Sequence, residues 1–436
     1  MSEWIQGRPL PAVLKNTPRR ILIGALMALF VFVVPAAARA AGVYVSNSSP
    51  VVPGGKSCAE PGFSKVQEAI NAGSASINVC PGTYTEQLEI TKAVKLTGAG
   101  GPGSATLAMP ALAANSATAC DTAVGPEQKD EISICTPGTV SLANVNVQAI
   151  TTTTGCGGQL YGIFVGDGGT LKATNVAIDG ASTSVNALKG CQYGVAVELG
   201  NKTPAEVGHG VLKQVTVTGY QKNGPTVKSP GSTLSITAST ITGEGPSPYI
   251  GQNGVEVAYG AKGTVKSSVI SGNECELAVY CSASNLENHG SGALFYQAAA
   301  GSGVTSSTLE NNDDGLYYSS GSKTVPASPD VTFFKDVLTN NRYEAVQIEE
   351  GRSVLKNDLI NGTGLVGINL VQESYQESAS LSGSSGTKIS GQTEASIKVT
   401  SDKSPSDPPG SKFMFIKGTA AAPVLLNESS TFIVEF

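Results

Sequence analysis

The chain has 436 residues and a net charge of −6, and only 14% of it is charged, against about 25% in an average soluble protein. Gly is abundant at 52 residues, so polarity must come largely from Ser, Thr, Asn and Gln. Beyond residue 40 the only arginines are Arg342 and Arg352. The clustered basic charge that neutralises phosphates is missing, and a nucleic-acid partner is excluded.

Residues 1–40 read as a signal peptide. Arg8, Lys15, Arg19 and Arg20 form a basic start, Ile21 to Val34 is apolar, and Ala38-Arg39-Ala40 supplies small residues at the cleavage positions. The apolar run of 14 residues is short beside the roughly 20 that span a bilayer. Membrane attachment is therefore expected only through an uncleaved signal segment. The Arg19-Arg20 pair hints at twin-arginine export. Losing five basic residues and Glu3 makes the remaining chain still more acidic. The expected location is secreted, extracellular or on the cell surface.

All eight cysteines follow the leader, an even count that suggests disulfides. No spacing forms paired zinc-binding cysteines. Eight thiols allow 105 full pairings, which sequence alone does not choose between; the local reading has Cys58–Cys80 pinning the first turns and Cys120–Cys135 closing a loop. Cys156 and Cys191 would link adjacent units, and Cys275–Cys281 would brace a further loop.

In chain order, Ser64 to Asn71 reads as a short amphipathic helix. Ser64 would be its N-cap and Gln67 or Glu68 would stand near the capping-box position. Val66, Ala69 and Ile70 would lie over a core. The stretch INVCPGTYTEQLEITKAVKLTG, 77–98, follows, with apolar pairs Ile77/Val79, Leu88/Ile90 and Val94/Leu96 between turn residues.

A loose repeat then runs to residue 391. One beat is an apolar residue, a polar one and usually Gly or Asn: Ile178-Asp179-Gly180, Val217-Thr218-Gly219, Ile241-Thr242-Gly243, Ile270-Ser271-Gly272, Leu309-Glu310-Asn311, Leu338-Thr339-Asn340, Ile360-Asn361-Gly362. It recurs every 22 to 39 residues. A second beat alternates in and out: YGIFV from 161, YGVAV from 193, NGVEV from 253, DGLYY from 314 and VGINL from 366. Such runs cannot bury an apolar face alone, but stacked in register they form one core. Short strands, variable gaps and Gly/Asn turns predict an all-β chain, a parallel β-helix of about ten coils. It would carry an N-terminal capping helix and a C-terminal β cap. The expected organisation is the signal peptide over 1–40, the β-helix over 41–400, and a Pro/Ser linker with cap strands over 401–436.

The helix, the stretch at 77–98 and the NGV/DGL coils resemble the right-handed parallel β-helix, pectin-lyase-like superfamily. The resemblance implies the architecture and leaves the activity open. Gly82, Tyr84 and Glu86 match a pectin methylesterase opening motif, but that group's other motifs are missing. Gly208-His209-Gly210 and Asp313-Asp314 occur in the reverse of the order polygalacturonases use, and the alginate epimerase Asp-Pro-His signature is absent.

Aligning Gly272, Asn311 and Asn340 puts Glu274, Asp313 and Arg342 in one column, with Asp314 and Glu344 beside it. Neighbours there would be about 4.8 Å apart. Carboxylates that close can act as acid and base, and calcium is the ion they would chelate; no other cofactor is implied. These four, Glu274, Asp313, Asp314 and Arg342, are the candidate catalytic residues. The loop after Cys275 brings His289 to the same region. The outward positions Glu256, Leu294, Tyr317, Gln347 and Asn369 form a largely polar ladder that suits a sugar ring. Glu256, His289, Tyr317, Glu344 and Gln347 are the candidate ligand contacts. The leading expectation is a secreted protein that binds polysaccharide or cell-surface glycan. A lyase or glycoside hydrolase acting on uronate-type glycans is the alternative, and a purely structural surface protein the third.

Overall fold

A computed structural model describes residues 42–116, 120, 128–152, 155–202, 206–276, 281, 288–321, 331–349, 351–372, 379–382 and 386–401, and the backbone of strands at 412–416, 418–420, 424–426 and 431–435. The leader and the linker residues 402–411 lie outside these.

Three sheets of twelve strands each take in strands from Val43 to Leu426. Every strand pair in them is parallel and joins one coil to the next, as in Ile77 with Leu96 or Leu316 with Val346. The coils number more than the ten expected. Two short strands, Gly418–Ala420 and Val424–Leu426, extend the sheets past residue 400. Lys412–Ile416 and Thr431–Glu435 pair with each other in a small parallel sheet.

The first beat is one register column. Leu107, Val147, Ile178, Val217, Ile241, Ile270, Leu309, Leu338, Ile360 and Ile389 follow one another coil by coil, all buried. The second beat also stacks, with one correction. Tyr161 pairs with Val195, not Tyr193, and Ile163 with Val197. YGVAV therefore sits two residues out of the expected register. A slip of two keeps the same residues facing inward, so alternation cannot detect it.

Polar side chains close two of the corners. In one, Asn273 Nδ2 donates to Asn312 Oδ1 at 2.8 Å and Asn312 Nδ2 to Asn341 Oδ1 at 3.0 Å. In the other, Ala238, Ser267, Ser306, Lys335 and Asn357 take left-handed φ, which costs a non-glycine residue roughly 1–2 kcal/mol. The next residue of each coil offers a side-chain oxygen to the coil before. Ser268 takes the Ser239 amide, Ser307 the Ser268 amide, Asp336 the Ser307 amide and Asp358 the Asp336 amide, at 2.8–3.2 Å.

The N-terminal helix runs from Val66 to Asn71. Val66 and Ala69 are buried in the core and Ile70 packs against it. Its cap differs from expectation. Lys65 is the N-cap and its side chain makes no capping bond. The carboxylate of Glu86, nineteen and twenty residues on, accepts from the amides of Gln67 and Val66 at 3.0 and 2.9 Å. Ser64 lies one position too early and bonds Glu68 instead. Tyr84, fully inside, donates its hydroxyl to the carbonyls of Val45 and Cys80. Of the motif's three residues, Glu86 thus ties the helix to the first coil, and Tyr84 fastens backbone within that coil. The four expected disulfides all form, with Cα separations of 4.7 to 5.8 Å.

Candidate functional site

The strands Asn253–Ala258, Ser291–Tyr296 and Asp314–Ser319 are neighbours in one sheet. Their outward column has the expected register: Glu256 with Leu294, Leu294 with Tyr317, Tyr317 with Gln347, Gln347 with Asn369. Exposure divides the column. Toward the N-terminus Phe164 stacks with Tyr161 and is buried with Val195. Toward the C-terminus Gln347 and Asn369 are 0% and 2% exposed. Gln347 spends its amide on Glu349. Gln347 is therefore not an open ligand contact, because alternation fixes which way a side chain points and not whether another layer covers it.

Between the closed ends lies a groove of about 380 Å3, lined by Lys222, Asn253, Glu256, Tyr259, His289, Ser291, Leu294, Tyr296 and Tyr317. Tyr259 and Tyr296 meet edge to face at 5.5 Å, and the Lys202 ammonium stands 4.0 Å from the centre of the Tyr259 ring. Tyr317 donates its hydroxyl to Glu349, and Glu256 accepts from the Asn223 amide. Lys222 donates to the carbonyl of Gly251 at 2.7 Å. Burial lowers its pKa to about 8, opposed by the charge of Glu256. Burial likewise raises Tyr259.

Beneath the groove, His289 Nδ1 is 3.1 Å from Asp314 Oδ2 and 3.7 Å from Glu344 Oε2. The ring stacks on Tyr343 at 4.2 Å, and Arg342 lies over the other ring partner at 4.6 Å from the Tyr343 centre. Asp314 and Glu344 oppose each other on adjacent strands. Burial, more than any neighbour, pushes Asp314 up to about 8 and Glu344 well above the carboxylate range. These three side chains are the one group among the described residues whose donor atoms converge as metal ligands would, all within 4.8 Å.

The column of Glu274, Asp313 and Arg342 also stands on successive coils, since Asp313 N donates to Asn273 O and Arg342 N to Asn312 O. None of the three, nor Asp314, lines the groove. Asp313 is fully buried. Its Oδ2 accepts from the amides of Cys275 and Gly290, both at 2.9 Å, and its Oδ1 pairs with Arg342 at 2.5 Å. Arg342 also donates to the carbonyl of Cys275, and Tyr343 to that of Cys281. The column clamps both ends of the disulfide-braced loop, and a guanidinium occupies the position a cation would take. Burial raises Glu274, with Arg342 opposing. Glu344 is 4% exposed and sits under the groove. Of the expected contacts, Glu256, His289 and Tyr317 reach the groove. His209, on another sheet, bonds Thr233.

Lys222, Tyr259, Tyr296 and Tyr343 are not among the contacts expected from the sequence. Lys222 directly precedes its strand and Tyr259 directly follows its own, outside the alternating pattern.

The family description "Right handed beta helix region" matches residues 161–385. No curated protein matches in sequence. Among solved structures, the A-module of mannuronan C-5 epimerase AlgE4 from Azotobacter vinelandii is similar over 85% of this chain and 95% of its own, at 13% identity and a TM-score of 0.42. The alginate lyase AlyF-OU02 is similar over 88% and 63%, at 12% and 0.35. A tailspike protein, gp49, from the Acinetobacter baumannii bacteriophage Fri1, a capsular polysaccharide depolymerase, is similar over 89% and 62%, at 8% and 0.36. At these identities the likeness concerns the fold alone.

Proposed function

This chain belongs to the right-handed β-helix family, and from the groove on its scaffold we propose that it binds a polysaccharide outside the cell. One observation carries this reading: the outer face of the sheet is covered at both ends and left open where Tyr259, Leu294, Tyr296 and Tyr317 stand among Lys222, Asn253 and Glu256. A sugar ring offers an apolar face to aromatic side chains and hydroxyls to the polar ones, and this groove presents both. Four disulfides support an oxidising compartment. No helix of the described residues is long and apolar enough to cross a membrane. The test is a glycan array probed with the chain and with Tyr317→Ala. Retention of one glycan class, lost in the variant, is expected. An array without retained glycans would favour a structural role.

A second reading, cleavage of a uronate-type glycan, is favoured by Lys222. An amine with a pKa near 8 is a workable base near neutral pH. Hydrolysis would need two carboxylates across the bond, and among the described residues Glu256 is the one carboxylate lining the groove. Elimination is the form of this reading that one base suits: the Lys222 amine takes the proton beside the sugar carboxyl, the freed electron pair becomes the C=C bond, and the glycosidic oxygen leaves with the C–O electrons and a proton from water. Ultraviolet absorbance of unsaturated product, lost in Lys222→Met, would support it; no product across a uronate panel would remove it.

A further inference from the structure

The group beneath the groove is built like a cation site. Asp314 and Glu344 are direct neighbours across two parallel strands, and the returning loop brings His289 against both. The three side chains are 1%, 0% and 5% exposed. Both Asp314 oxygens face the imidazole, Oδ1 at 3.2 Å and Oδ2 at 3.1 Å from His289 Nδ1, and Oδ1 also accepts from the Glu344 amide at 3.4 Å. Glu344 Oε1 accepts from Asn369 Nδ2 at 3.4 Å while Oε2 accepts no hydrogen bond from any described residue. A buried carboxylate oxygen left this way is costly.

We propose that His289, Asp314 and Glu344 hold a single first-row divalent cation, for which zinc is the probe. An ion bonded at about 2.0–2.1 Å in a tetrahedron sets its ligands about 3.3 Å apart, and the separations of 3.1 and 3.7 Å from His289 Nδ1 bracket that figure. The imidazole favours such an ion over calcium, which takes six or more oxygens. The cation would give the orphaned Glu344 oxygen a partner and supply the charge that two adjacent buried carboxylates lack. Tyr343 fixes the imidazole plane from below and Asn369 orients Glu344, the kind of outer support that metal ligands need. Three protein ligands leave a fourth position, the feature of zinc sites that meet a substrate. His289 is also part of the groove wall, so the groove is the way in. The site stands whether or not the groove holds a glycan.

The test is calorimetric titration of the EDTA-stripped, tag-free chain with Zn2+, with Co2+ absorption as a second readout. One ion per chain is expected. Binding should weaken by about 100-fold or more in His289→Ala and in the nearly isosteric Glu344→Gln, since even an outer partner costs roughly 10–100-fold. His209→Ala should bind as the unaltered chain does. Should His289→Ala fail to fold, Glu344→Gln decides. No stoichiometric zinc, no visible cobalt band, or binding undiminished in Glu344→Gln would overturn the proposal, leaving a proton-sharing trio in its place.

Discussion

Asp313 and Arg342 pair at 2.5 Å from neighbouring coils, and the other oxygen of the same carboxylate holds the amides of Cys275 and Gly290. A residue placed in that way braces a loop. Asp313→Asn can keep one acceptor and must turn an N–H toward another donor. It should destabilise the chain by about 1–3 kcal/mol, the cost of a buried donor left unpaired, read from urea unfolding. A loss of groove binding with unchanged stability would instead assign Asp313 to ligand contact.

At the N-terminal end, Glu86 joins the helix to the first coil and Tyr84 fastens backbone within that coil. Glu86→Gln should cost about 0.5–2 kcal/mol, as loss of a helix cap does. Tyr84→Phe removes the hydroxyl donor from the Cys80 carbonyl and from that of Val45, which keeps the Cys80 amide, and should cost about 1–3 kcal/mol. Hydrogen exchange at the Val66 and Gln67 amides should accelerate in Glu86→Gln and remain slow in Tyr84→Phe.

The asparagine ladder has a centre in Asn312, which accepts from Asn273 and donates to Asn341. Asn312→Leu should cost about 2–4 kcal/mol because it strands groups on both sides. The cost at Asn341→Leu in the background of Asn312→Leu should be smaller than alone, which a double-mutant cycle measures.

Stability should fall as pH rises. Burial raises Asp130 to about 7, Asp336 to about 8 and Asp358 to about 6. A carboxyl whose folded pKa is raised contributes stability that is fully present below its ordinary pKa near 4 and lost as pH passes through the folded value. The thermal midpoint should therefore decline between pH 5 and 9. Asp336→Ser, which repeats what Ser307 does one coil earlier, should flatten the decline. A midpoint that climbs over this range would contradict the assignment.

Much of this was legible. Ile270, Leu309 and Leu338 marked the coil register because an apolar residue in a stacked column has one place to go, and Glu274, Asp313 and Arg342 followed from it. The ladder from Glu256 to Asn369 followed from the two-residue period. Gln347 did not, because its covering lies outside the local pattern. The Ser/Asp corner carried a readable signal that was overlooked: Ser239, Ser268, Ser307, Asp336 and Asp358 each stand two residues before a beat residue. The meeting of His289 with Asp314 depends on how a long loop returns, and nothing periodic encodes that.

Calorimetry with the best-retained glycan tests the central claim most directly, comparing the chain with Tyr296→Ala, Tyr317→Ala and a control, Tyr249→Ala, whose exposed ring stands outside the groove. The groove variants should each lose affinity by about tenfold, roughly 1.4 kcal/mol, while the control binds normally. Equal affinity in all four, or loss only in Tyr249→Ala, would place the glycan elsewhere and contradict the account.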